Sequence, residues 1–300
     1  GRYAFSETAG LRTVEFPSKV RILDKYAFLK SGLTGEIVIP SSVTSYGEGL
    51  FASCEKLTAI LIGNENEYYK DIDGVVCTID GGTLIEYPAG SRRASYSIPE
   101  AVKNIYNAAF YGSQYISTVT MPDTVINVNG FAFHDCKNVT EYYLSDNLVY
   151  LGENAFSGNS SLRSINLPDS VRQISRCCFE DDWLLNTVHI SENTEMRRIG
   201  FRAFSYCGLK SFRVPAVISS VAQYAFEGCK KLRYFSFAEN SRLESISAYF
   251  FLGCDSIQEL VFEPGSALRS VQAHGLHGMS NLTRVDFGDA QIENIDNYAL

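Results

Sequence analysis

Phenylalanine returns at a fixed phase along this chain of 300 residues. Phe5, Phe28 and Phe51 lie 23 residues apart, as do Phe110, Phe133, Phe156 and Phe179. Phe204, Phe226 and Phe251 follow at spacings of 25, 22 and 25, and Leu276 and Leu300 then take the slot. Ala precedes the anchor at Ala4, Ala27, Ala109, Ala132, Ala155, Ala203, Ala225 and Ala299. A period of this length restricts the fold more than any local propensity does. Each unit must present the same faces to its neighbours, and a stack of coils around one continuous core meets that condition.

The other slots say what each coil does. An aliphatic residue follows the anchor by six, as at Leu57, Val139, Leu162 and Leu232, and two alternating apolar residues come next, as at Ile165 and Leu167. Alternation at period two predicts a short strand with those side chains facing inward. Pro17, Pro40, Pro122, Pro168 and Pro215 end the run, since proline has no N–H for a ladder. Two further apolar slots, such as Val171 and Ile174, turn inward from the opposite wall. The consensus is A-F-x-x-C-x-x-L-x-x-I-x-L-P-x-x-V-x-x-I, held through about a dozen units. Ten of the 19 Phe are anchors, which accounts for much of the aromatic excess.

The L-x-x-I-x-L strand, seen at Leu162, Ile165 and Leu167, resembles that of the leucine-rich repeats. The proline after it and the A-F-x-x-C turn, as in Ala132-Phe133-His134-Asp135-Cys136 and Ala225-Phe226-Glu227-Gly228-Cys229, resemble the BspA-type subclass. The resemblance covers essentially the whole chain. It implies a right-handed leucine-rich-repeat superhelix of the α/β class, with short strands and short helical turns. It also implies a secreted or surface-displayed bacterial protein of adhesin type, with no shared catalytic residues. On this reading residues 1–300 form a single solenoid of about twelve coils. The chain starts inside a turn and stops on an anchor, so it is expected to be an excerpt of a longer protein.

Between Phe51 and Phe110 the spacing is 59, which exceeds one period by 36. Two apolar runs here flank Asp80-Gly81-Gly82, the signal of a tight hairpin, so residues 64–99 are expected to be an inserted hairpin extending one coil. The competing expectation is a projecting lip that contacts a ligand through Arg92 and Arg93.

Five of the eight Cys (Cys54, Cys136, Cys207, Cys229 and Cys254) stand three residues after an anchor. Thr8, Ser31, Ser113, Asn159 and Met279 fill the same slot elsewhere, so it does not demand a thiol pair, and buried free thiols are expected. His134, His189, His274 and His277 show no metal-ligand spacing, and no nucleophile elbow, zinc-protease or phosphate-loop motif is present. Acidic pairs such as Asp181-Asp182 fall on turns, where solvated charge is the ordinary outcome. No enzyme, cofactor or metal is expected. A net charge of −8 argues against a nucleic-acid partner, and no apolar run approaches membrane-spanning length.

Attention therefore falls on the outward strand positions. One column runs through Thr118, Glu141, Ser164, Thr187, Ser211 and Tyr234, the other through Thr120, Tyr143, Asn166, His189 and Arg213. Interfaces favour Tyr and Arg over Lys and Glu. Tyr143, His189, Arg213 and Tyr234 are thus the candidate contacts for a protein or other extracellular macromolecule, such as host matrix or another cell surface. The rival expectation is a rigid spacer with no ligand of its own.

Overall fold

Two strands are laid down per turn, one on each wall. The computed structural model describes residues 1–299, so the expected anchor Leu300 lies outside the described residues. In Ser164–Leu167 and Ser211–Val214, exposed and buried positions alternate as the sequence pattern demands. Successive turns pair in parallel and in register. Thr118 stands opposite Glu141, Ser164 opposite Thr187, and Tyr234 opposite Glu259. The second wall carries two-residue strands, such as Gln173–Ile174 paired with Arg198–Ile199. The result is a β-solenoid of about twelve turns, with chain contacts grouped into two compact units, Gly1–Ser145 and Asp146–Leu300.

The A-F turn is not helical, contrary to the expectation of short helical turns: no helix occurs among the described residues. The cause is one left-handed residue per turn, two before the anchor, for example Tyr26 (φ 55°), Cys177 (φ 52°) and Tyr224 (φ 59°). Positive φ ends any helix at that point. The anchor's N–H then reaches the next turn, as from Phe28 to the Leu50 carbonyl at 2.9 Å and from Phe204 to Ala225 at 2.8 Å. The Phe rings stack along the core, with centroids 4.7 Å apart for Phe110 and Phe133 and 5.5 Å for Phe179 and Phe204.

Every cysteine is free and buried. The column slot wants a donor as well as a small side chain. The thiols of Cys54, Cys136 and Cys229 donate to the carbonyls of Phe28, Phe110 and Phe204 at 3.1 Å each. The Thr8 and Ser113 hydroxyls donate to Phe5 and Phe110 at 2.6 and 2.7 Å. Burial pushes the Cys54 and Cys136 thiols up to about 12, so little thiolate forms at neutral pH. A thiol titration should accordingly find almost nothing reactive in the native protein and all eight groups after denaturation; no gain on unfolding would contradict free thiols.

One acid departs from expectation. Asp181 is exposed, but Asp182 is fully buried, because it stands in the column slot three residues after Phe179. Its Oδ1 accepts the Asn159 N–H at 2.7 Å, while Oδ2 has no partner among the described residues. Burial first, and then the charge of Asp181, hold its carboxyl well above the ordinary value.

In the long interval, Tyr69–Ile72 and Val75–Thr78 form an antiparallel hairpin around Asp73-Gly74, and Val75–Thr78 pairs antiparallel with Thr83–Glu86 across Asp80-Gly81-Gly82. Thr83–Glu86 also pairs in parallel with Asn104–Ile105, in the second wall. Tyr87 takes an anchor position: its N–H reaches the Ala109 carbonyl at 2.7 Å and its ring stacks on Phe110 at 4.8 Å. Arg93 donates to the Asp73 carbonyl at 2.8 Å and so ties the hairpin down, while Arg92 lies over the Tyr115 ring. The hairpin packs on Ala59 rather than over Val38, which stays 57% exposed.

Candidate binding groove

The turn after Phe204 is one residue short. Phe179 and Phe226 precede their strands by eight positions, at Thr187 and Tyr234, but Phe204 precedes Ser211 by seven. The contraction falls at Gly208, where a Cβ would stand 2.2 Å from the Trp183 carbonyl oxygen, so only glycine fits. The strand ladder breaks there. Thr187–Ile190 pairs back to Ser164–Leu167, and Ser211–Val214 begins a separate sheet of four. The Lys210 N–H reaches Asn186 only at 3.4 Å, whereas the equivalent bond one turn later, Arg233 to Lys210, is 2.9 Å. Val188 and Ile190, inward by pattern, are left half-buried.

The break opens a groove of about 620 Å³ with a floor of Val188, Ile190 and Phe212 and walls that include Arg213, Tyr234 and Glu259. His189 also lines it. Three of the four candidate contacts thus meet in the second unit. Tyr143 does not join them: it lies on Glu141–Tyr143 in the first unit, 55% exposed, its hydroxyl donating to Glu141 at 2.9 Å.

Arg213 is clamped between carboxylates. Nε and Nη2 donate to the two oxygens of Glu263 at 3.0 and 2.9 Å, and Nη1 pairs with Glu192. The guanidinium holds the Glu263 carboxyl below its usual range. The fork is therefore fixed before any partner arrives, and its two carboxylates, Glu192 and Glu263, outnumber it in charge, while Glu259 beside them stands 4.0 Å from Arg284. Neither Glu192 nor Glu263 stands out in the sequence by composition. The available signal was positional, since Glu263 occupies the slot that Pro168 and Pro215 hold in other turns. Among the described residues no group of three His, Cys, Asp or Glu side chains could hold a metal ion; the rings of His274 and His277 simply meet edge-on at 5.5 Å.

The column two before the anchor is a further feature that side-chain pattern alone did not reveal. Tyr224 stacks on Tyr249 at 5.0 Å, Tyr249 on His274 at 4.9 Å, and His274 on Tyr298 at 5.5 Å, while Arg202 lies over Tyr224. These stacks use the ring faces on one another and leave edges outward, so they stiffen the turns.

Six copies of a family model described as the BspA type leucine rich repeat region match residues 1–72, 91–198 and 197–300. The chain belongs to the BspA-type leucine-rich-repeat family. Among solved structures, this BspA-type chain is similar to a leucine rich cell surface protein of Faecalibacterium prausnitzii, with 27% identity and a TM-score of 0.59 over 76% of this chain and 54% of that one. It therefore spans about half the length of that protein. It also shares its fold with leucine-rich repeat proteins of Bacteroides ovatus (24% identity, TM-score 0.67, 95% of this chain and 70% of that one) and Eubacterium ventriosum (19%, 0.67, 97% and 68%). No curated protein is significantly similar to it.

Proposed function

We propose that this repeat chain is a non-catalytic binding module of a secreted or cell-surface protein. It engages a protein or other extracellular macromolecule through its strand face, with the groove at His189, Arg213 and Tyr234 as the principal contact. The observation that carries this reading is the ladder break at Gly208, which opens the wall of the second unit into a concave site where Tyr and Arg converge. A partner side chain with an apolar body fills the Val188, Ile190 and Phe212 floor, and a positive tip meets Glu192 and Glu259. Arg213, already pinned, loses little side-chain freedom on contact. Similarity to the Faecalibacterium prausnitzii protein, described as a cell surface protein, supports the location. No helix among the described residues is long and apolar enough to cross a membrane.

Attachment to a panel of immobilised matrix proteins tests the reading. Arg213→Ala with Tyr234→Ala should weaken attachment by about 10- to 100-fold, in line with loss of one or two interface anchors. Tyr143→Ala, in the other unit, should cost less. Attachment that survives the double variant intact would favour the spacer role.

A further inference from the structure

We infer that the edge of the strand face in the second unit carries a site for an anionic polysaccharide, formed by Lys210, Lys230, Lys231 and Arg233 beside Tyr234. These residues line a second cleft of about 620 Å³, with Ser211 and Ser256 completing its wall. It adjoins the groove above through Ser211 and Tyr234 but is opposite in charge. The inference does not depend on what the acidic groove binds.

A chain of net charge −8 has carboxylates to spare for its cations, and six of the ten other Lys and Arg side chains of this unit use them, the exceptions being Arg163, Arg197, Arg198 and Arg242. Arg172, Arg176, Arg202, Arg213, Arg269 and Arg284 each stand within 4.0 Å of a carboxylate. Lys210, Lys230, Lys231 and Arg233 form no ion pair among the described residues, and all four are exposed. Asp255 occupies the position of Lys230 one turn on and makes no ion pair with any of them. The hydrogen bond from the Arg233 N–H to the Lys210 carbonyl holds those two residues side by side on adjacent turns, each just before its strand and about 4.8 Å apart. The lysine pair sits on the turn leading through Arg233 into the strand Tyr234–Phe237. Four unpaired cations held on neighbouring turns are costly by self-repulsion and are relieved by an external anion.

Tyr234 decides the class of anion. Its ring is 52% exposed at the cleft wall, an apolar platform for a sugar face with the cations placed for sulfate or carboxylate groups on either side. A nucleic acid carries a charge on every unit, and its backbone would run onto the acidic surface beyond the cleft. A polysaccharide with spaced charges meets the cations without that penalty. Trp183, the single tryptophan, is 63% exposed and lies on the same edge, its carbonyl against Gly208 in the turn before Lys230.

Titration of the full chain with a heparin oligosaccharide, read by calorimetry and by Trp183 fluorescence, tests the assignment. Binding should weaken as salt is raised. The fourfold change K210Q/K230Q/K231Q/R233Q, confined to exposed side chains, should lower affinity by about 100-fold and flatten the salt dependence. Tyr234→Ala should lower affinity by about 10-fold with the salt slope unchanged. H189A/R213Q should leave heparin binding as it is. An unchanged affinity in the fourfold variant, with its circular dichroism native, would overturn the site. If that variant does not fold, K230Q/K231Q alone serves the same purpose, with about a 10-fold loss expected. Equal binding of uncharged dextran, or of single-stranded DNA of matched length, would overturn the assignment to an anionic polysaccharide.

Discussion

Phe204→Ala should lower the unfolding free energy by about 3–5 kcal/mol, the cost of emptying a large aromatic from a packed core. The ring is fully buried and stacked on both sides, on Phe179 and on Phe226, each with centroids 5.5 Å away, and it also meets Phe212 at 5.3 Å. Removing it leaves a gap in the ladder that neither neighbour can fill, because each is fixed by its own turn. In a repeat array stability is close to a sum of unit and nearest-neighbour terms, so an internal anchor loses two interfaces. Trp183 is 63% exposed and lies outside the column, so Trp183→Ala should cost about 0.5 kcal/mol or less. Urea denaturation of the two variants decides the matter. Equal losses would mean that the column is not the continuous core described above.

Most of this architecture is legible in the sequence because a period makes every environment recur. Ile165 and Leu167 face inward for the same reason as their counterparts one turn away, and a single consensus exposes them all. What escapes is whatever the period constrains through the backbone alone. The slot two before the anchor is left-handed at Tyr3, Gly49, Ala108, Asn154, Cys177, Arg202 and His274 alike. Tyr recurs there, as at Tyr26, Tyr224 and Tyr249, but no residue type that favours positive φ does, so the turn is compatible with helix on side chains alone. Tyr87 stands 23 residues before Phe110, yet it carries a hydroxyl and follows an irregular stretch, which hides it among the hairpin residues. Asp182 was misplaced by its chemistry: an acid in a turn is ordinarily solvated, and only the column position says otherwise.

The candidate groove shows the same division. The irregular spacings of 25 and 22 around Phe204 are visible in the sequence. That the shortened turn interrupts hydrogen bonding and half-uncovers Val188 and Ile190 follows only from the strand register. The outward columns predicted His189, Arg213 and Tyr234 as neighbours on one face, and the groove gathers them. They could not show that Glu192 and Glu263 clamp Arg213, since Glu263 lies 50 residues beyond it in the chain. Solenoids convert such distances into adjacency, so charge partners are found by counting turns rather than residues.

Glu86 should make the folded state progressively less stable from about pH 5 to about pH 8. Its carboxylate is buried in the first unit, accepting the Tyr46 hydroxyl at 2.6 Å and the Phe51 N–H at 2.7 Å. Burial raises it from its ordinary 4.5 to about 8 despite those two bonds. The folded protein therefore keeps a proton on Glu86 that the unfolded chain releases near pH 4.5. Its stabilising contribution is full below that value and fades as pH rises through the folded one. A shift of this size corresponds to about 3–5 kcal/mol between the two ends of the window. Glu86→Gln removes the ionisation while keeping the shape: the amide carbonyl can accept from Phe51 and the amide N–H can donate to the Tyr46 oxygen. The variant should match the natural protein near pH 5 and exceed it by several kcal/mol near pH 9 in urea denaturation. Asp182, raised in the same direction in the second unit, leaves a residual slope of the same sign in Glu86→Gln, which Asp182→Asn should remove. Parallel stability profiles for the natural protein and Glu86→Gln would show that Glu86 is ionised and solvated in the folded state, and the Tyr46 contact would then have to open.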